Sequence, residues 1–343
     1  MLPFAEGIAA GALSAALLLL VTIVVERALR RWRHARLRRV EEQWRGALQQ
    51  AAEDPHAARL EPISDLDLPY FLALWNHSQE AQAGEGANRL GTLLALHGLD
   101  ARALKLMGRP SARLRIIGIN AAGHLREASG WARLEKIAQH RDPVTSFAAA
   151  LALLRIDSRR ALDLLALSIP ERADWPLARL ASVFESLGPA VVTAPIVAML
   201  LRRPRSGLDR VGKLARFGYR ERIATIVLGW LGSSTDPEVI IVALDYVDHR
   251  SDLSWAHGAA EHSEWRVRLA AARALGRVGG REELARLLAL LRDPVWWVRY
   301  HSAQALTRLE GLEPFELENL RENARDAFAA DMLGQALAER RWT

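Results

Sequence analysis

The chain has 343 residues, half of them hydrophobic and a quarter charged, with a formal net charge of +6 and no cysteine. That length and apolar share allow a sizeable buried core, in one large domain or two ordinary ones, and exclude general disorder. The lack of cysteine excludes disulfides, zinc ribbons, iron–sulfur clusters and thiol nucleophiles.

The first element is the uncharged run 7–25, GIAAGALSAALLLLVTIVV. At a helical rise of 1.5 Å per residue it spans about 28 Å, close to the roughly 30 Å hydrocarbon core of a bilayer. No positive charge beyond the amino terminus precedes it, and Val24, Val25 and Glu26 do not resemble a cleavage site. Residues 1–25 are therefore expected to be an uncleaved transmembrane anchor rather than a signal peptide or a buried core helix. Gly7, Gly11 and Ala15 stand four apart, a spacing that lets two such helices approach closely and offers a route to a homo-oligomer.

Residues 26–50 are expected to be a basic helix beside the membrane. Eight arginines between 26 and 45, against Glu26, Glu41 and Glu42, carry +5 of the chain's +6. Arg27, Arg30, Arg31, Arg33, Arg36, Arg38 and Arg39 are expected at the membrane surface. Their position predicts a single-pass protein of a bacterial inner membrane, with the N-terminus periplasmic and everything after Val25 cytoplasmic. The remainder is nearly neutral, which speaks against a nucleic-acid partner.

Residues 51–94 read as an irregular helical segment in which Tyr70, Phe71, Leu74 and Trp75 form one apolar face. From 95 to 310 the sequence repeats. HSEWRVRLAAARALGRV (262–278) and DPVWWVRYHSAQALTRL (293–309) align without gaps at an offset of 31 residues. Candidate starts of the second helix of each unit are Pro110, Pro143, Pro176, Pro204, Pro237, Ser263 and Pro294, because proline suits the first helical turn. Asp142, Asp236 and Asp293 precede three of these prolines as natural N-caps. The pattern predicts about seven helix pairs, an all-α stack in which each unit needs its neighbours to bury its apolar face. Residues 311–343 are expected to be a helical cap.

DPVWWVRYHSAQAL and SEWRVRLAAARALG resemble HEAT repeats, and more closely the bacterial kind similar to the HEAT-like repeats of phycobilisome lyases. The resemblance implies an α-solenoid of about seven HEAT-like pairs following the N-terminal transmembrane helix. It also implies a ladder of Asp and Arg along the stack, with Asp293, Arg268 and Arg299 as members.

Phosphate-binding glycine motifs and the GxSxG elbow are absent from the sequence. His is never followed by Glu, which excludes the paired His-Glu iron site of the HEAT-type deoxyhypusine hydroxylase. Asp245, Asp248, His249, Asp252, His257, Glu261 and His262 form a polar cluster, read as solvated turns with a metal site as the alternative. Trp265 and Trp296 share a repeat position and are expected to pack between units. Two adjacent tryptophans cannot both point inward, so one of Trp296 and Trp297 is expected at the surface. Trp296, Trp297, Arg268 and Arg299 are the candidate partner-binding residues. The expectation is a non-catalytic, membrane-tethered scaffold for membrane-associated protein partners, without cofactor or metal, for example an accessory of an envelope polysaccharide (glycosyltransferase) system. The alternatives are a HEAT-like chromophore lyase or isomerase, or a nucleic-acid-binding HEAT-like protein.

Overall fold

The computed structural model describes residues 2–82, 84–202, 207–231, 234–324 and 326–340, with backbone alone at 2–17 and 340. It is helical throughout the described residues, apart from one isolated bridge between Gly280 and Glu310. The chain divides into two units, Met1–Ala161 and Leu162–Thr343.

The first unit opens with one helix, α1 (Leu2–Glu53), which runs unbroken through the segments expected to be anchor and basic helix. Only its C-terminal part is fixed by packing. Val40, Trp44, Leu48 and Ala51 are buried against α2 (Leu68–Ala81) and α3 (Glu85–Leu96). Pro69 stands in the first turn of α2, where a missing N–H costs nothing. The face expected on α2 is the core of this unit: Phe71 and Trp75 are fully buried, and Trp75 Nε1 donates to the Leu90 carbonyl at 2.9 Å. Then follow α4 (Leu99–Leu106), α5 (Ala112–Leu125), α6 (Trp131–Ala138) and α7 (Pro143–Ile156). Asp142 caps α7, its carboxylate accepting from Thr145 N–H at 2.8 Å, which satisfies one of the orphan donors at a helix start. α5 and α7 cross at Gly123, where a methyl group would lie 2.8 Å from Ala152 Cα.

α8 (Ser158–Leu165) lies across the division. The second unit continues with α9 (Ser168–Glu171), α10 (Leu177–Leu187), α11 (Pro189–Leu201), α12 (Leu208–Ala215), α13 (Arg220–Leu231) and α14 (Pro237–Leu244). After these come α15 (Leu253–Ala259), α16 (Trp265–Val278), α17 (Leu284–Leu290), α18 (Trp296–Arg308), α19 (Pro314–Glu322) and α20 (Ala327–Arg340). Here α10, α12, α14, α16, α18 and α20 form a row in which each helix packs on the next. Gly207 admits the turn into α12: its φ is +78°, and the Pro170 carbonyl sits where a side chain would be. Pro204 lies outside the described residues. Within the row the crossings are again made by small residues, Gly212 on Val242 and Gly276 on Ala305.

The membrane assignment does not stand. Among the described residues no helix is long and apolar enough to cross a membrane. The single-pass inner-membrane location, with its periplasmic N-terminus and cytoplasmic bulk, is corrected accordingly. Gly7, Gly11 and Ala15, expected to pack helices together, lie outside the described side chains.

Candidate interaction surface

The start of α18 is built by its own sequence. Asp293 accepts from Val295 N–H at 2.8 Å, and Pro294 follows it. The next two residues, Trp296 and Trp297, are 39% and 52% exposed. Trp296 lies flat on Tyr300, one turn on, with ring centroids 5.2 Å apart and planes within 7°. Trp297 meets Trp296 edge-on at 4.7 Å. Both tryptophans are thus at the surface, and Trp296 does not pack between units as expected. It has a stacking partner on its own helix instead. Trp265, the equivalent residue on α16, is half-buried.

Tyr300 ties this aromatic group to α20. Its hydroxyl lies 3.0 Å from both carboxylate oxygens of Glu339, and Gln304 Nε2 donates to the same carboxylate at 3.0 Å. These bonds hold the Glu339 carboxyl below its ordinary range, while desolvation and the neighbouring anion raise Tyr300. Phe328, near the start of α20, extends the aromatic surface; it is 63% exposed, with the Arg299 guanidinium 5.4 Å from its centroid. Sequence reasoning missed Tyr300 and Phe328. The available signal was their spacing from the tryptophans, one helical turn for Tyr300 and one repeat of 31 residues from Trp297 for Phe328.

The two candidate arginines divide from the tryptophans. Arg268 bonds Asp293 with two nitrogens, at 2.6 and 3.0 Å, and gives Nη1 to the His262 and Ser263 carbonyls. Arg299 donates to the Asp293 and Pro294 carbonyls at 2.8 and 3.3 Å. Arg268 joins two neighbouring repeats and Arg299 holds the turn before its own helix, so both guanidinium groups are engaged within the stack.

The polar cluster at 245–262 is used within the stack. Asp248 accepts from Arg220 Nε and Nη2 at 2.5 and 2.7 Å, and Arg220 holds its carboxyl low. His257 Nε2 faces buried Glu283 at 2.8 Å, and His262 Nδ1 accepts from Glu264 N–H. Among the described residues no three His, Asp or Glu side chains converge as metal ligands.

Of the basic residues on α1, Arg36 bridges to Asp67 at 2.6 Å and lies over Trp32, and Arg30 pairs with Glu26. Arg27, Arg31, Arg33, Arg38 and Arg39 are exposed. A cleft of about 230 Å³ beside α1 has Leu48, Leu74 and Leu90 as its floor and Arg45, His77 and Gln82 at its rim. It is smaller than the roughly 300–1,000 Å³ usual for small-molecule sites. A second, of about 390 Å³, is lined by α1 residues alone. One convex helix surface cannot enclose a ligand.

No curated protein matches the chain. The sequence model of the HEAT repeats family matches residues 233–307 and 254–338. These matches run from α14 to α20 and take in the whole aromatic surface. Residues 233–338 therefore carry HEAT repeats, and the stacked helices of the second unit agree with an α-solenoid.

Proposed function

We propose that this protein is a non-catalytic scaffold that binds other proteins through the aromatic surface of its C-terminal HEAT repeats. The supporting observation is the exposure of Trp296, Trp297 and Phe328 on adjacent helices. Large exposed aromatics cost solubility, and neighbouring ones mark contact sites, where Trp and Tyr supply much of the binding energy. HEAT repeats commonly mediate protein–protein interaction, and the matched segment is the one that presents these rings. The narrower expectations of a polysaccharide-synthesis accessory, a chromophore lyase or a nucleic-acid binder gain no specific group here.

The test is Trp297→Ala in the full chain. The side chain is half exposed, so thermal unfolding is expected within about 2 °C of the parent, while co-purification of protein partners falls about tenfold or more. Unchanged co-purification at unchanged stability contradicts the reading.

A further inference from the structure

Beside the aromatic surface runs a stripe of arginines, two of them without a carboxylate partner among the described residues. Residues seven and eleven apart return to the same side of a helix. On α18 this places Trp297, Gln304 and Arg308 together; on α16 it places Arg266, Arg273 and Arg277 together. α16 and α18 are packed side by side.

The arginines on this stripe differ in their partners. Arg266 is engaged by Glu238 at 2.7 Å and by Glu264 at 3.2 Å. Arg277 reaches Asp248 and the Leu244 and Val247 carbonyls. Glu339 on α20 accepts from Tyr300, Gln304 and Gln335. Arg273 and Arg308 are exposed and have no carboxylate partner among the described residues. Both act on His301, which sits between them on α18 and is held below the usual imidazole range by burial first and by Arg273 next. Two free guanidinium groups therefore remain on one side of an exposed tryptophan.

We propose that this stripe is the docking surface for an acidic peptide segment of a protein partner, with an apolar side chain anchored on Trp296 and Trp297 and carboxylates on Arg273 and Arg308. This deepens the scaffold reading and rests on it. Trp297 and Arg308 are eleven residues apart, about 16 Å along the helix axis. An extended chain covers that distance in about five residues, so the recognised segment carries its acidic residues about five positions from its apolar anchor. Guanidinium groups suit such carboxylates because they bond them with two parallel donors.

The experiment uses the full chain and dye-labelled synthetic peptides with a Leu-Phe anchor, flanked five positions away by glutamates, lysines or serines. Fluorescence anisotropy is expected to show binding of the glutamate peptide alone, weakening as salt rises. R273E/R308E should weaken it about tenfold or more and transfer binding to the lysine peptide; Trp297→Ala should weaken it similarly. Failure of the glutamate peptide to bind, equal binding of the lysine peptide to the parent, or binding that ignores R273E/R308E overturns the proposal. So does heparin binding that survives Trp297→Ala, which marks a polyanion site. The scaffold reading fails separately: partner proteins that still co-purify with R273E/R308E sink only the acidic-segment proposal.

Discussion

The Arg268 guanidinium grips the Asp293 carboxylate through two hydrogen bonds, Nε to Oδ2 at 2.6 Å and Nη2 to Oδ1 at 3.0 Å. Asp293 also accepts from Val295 N–H in the turn that leads into α18, so one carboxylate fixes that turn and joins it to the preceding repeat. Asp293→Ala removes the turn bond and strands a largely buried cation. It should cost about 3 kcal/mol in urea unfolding. Arg268→Met should cost a similar amount, and the double variant should cost less than the sum by about 1–3 kcal/mol. Strict additivity would show that the pair is not coupled.

Glycines in this chain divide by what surrounds them. Gly276 packs directly on Ala305, whereas Gly229 and Gly258 have open space where a methyl group would go. Gly276→Ala is expected to destabilise by about 1–3 kcal/mol through overpacking. Gly229→Ala and Gly258→Ala, inside helices, should each stabilise by about 0.5–1 kcal/mol. Thermal unfolding of the three variants checks both signs.

His124 gives the first unit a pH dependence. Burial, then the nearby Arg155 charge, push its imidazole down to about 4, and its Nε2 is buried with no hydrogen-bond partner among the described residues. The unfolded chain takes up this proton near pH 6.5, the folded chain only near 4. Its contribution is therefore intact above about pH 6.5 and is lost as the pH falls towards 4. The carboxylates held low by ion pairs, such as Asp67 with Arg36, add their loss only below about pH 4. His124→Gln should flatten the fall in stability between pH 6.5 and 5, measured by urea unfolding at each pH. An unchanged slope contradicts the assignment.

Arg210 should matter more than an ordinary arginine. It is 7% exposed, donates to the Trp175 carbonyl at 2.6 Å, and burial lowers its pKa despite Asp209 and Asp174 nearby. Arg210→Ala removes that bond and opens a void beside Trp175. A loss of about 2–3 kcal/mol is expected in thermal unfolding, against less than about 0.5 for the exposed Arg292→Ala.

The stacked helices were legible because their starts are written in local chemistry. Asp142-Pro143 and Asp236-Pro237 each place a capping carboxylate before a residue that costs nothing in the first turn, and α7 and α14 begin there, whereas α18 begins two residues after Pro294, at Trp296. The Trp265–Trp296 equivalence was legible too, but its environment was not. Periodicity gives the face of a helix, whereas the depth of that face depends on what the next repeat offers. Trp296 found Tyr300 on its own helix and stayed at the surface. The glycine crossings were hidden because what Gly276 and Gly123 meet is set by another helix. Their role is contact with Ala305 and Ala152, a repeat away in sequence.

Site-specific photo-crosslinking tests the central claim most directly. A photoreactive residue placed at Gln304, beside Trp297 and Arg308, is compared in living cells with one at Arg286 on α17. Discrete protein adducts from position 304, absent from 286 and lost on Trp297→Ala, are the predicted result. Adducts from 286 alone, or adducts from 304 that persist without the Trp297 ring, would contradict it.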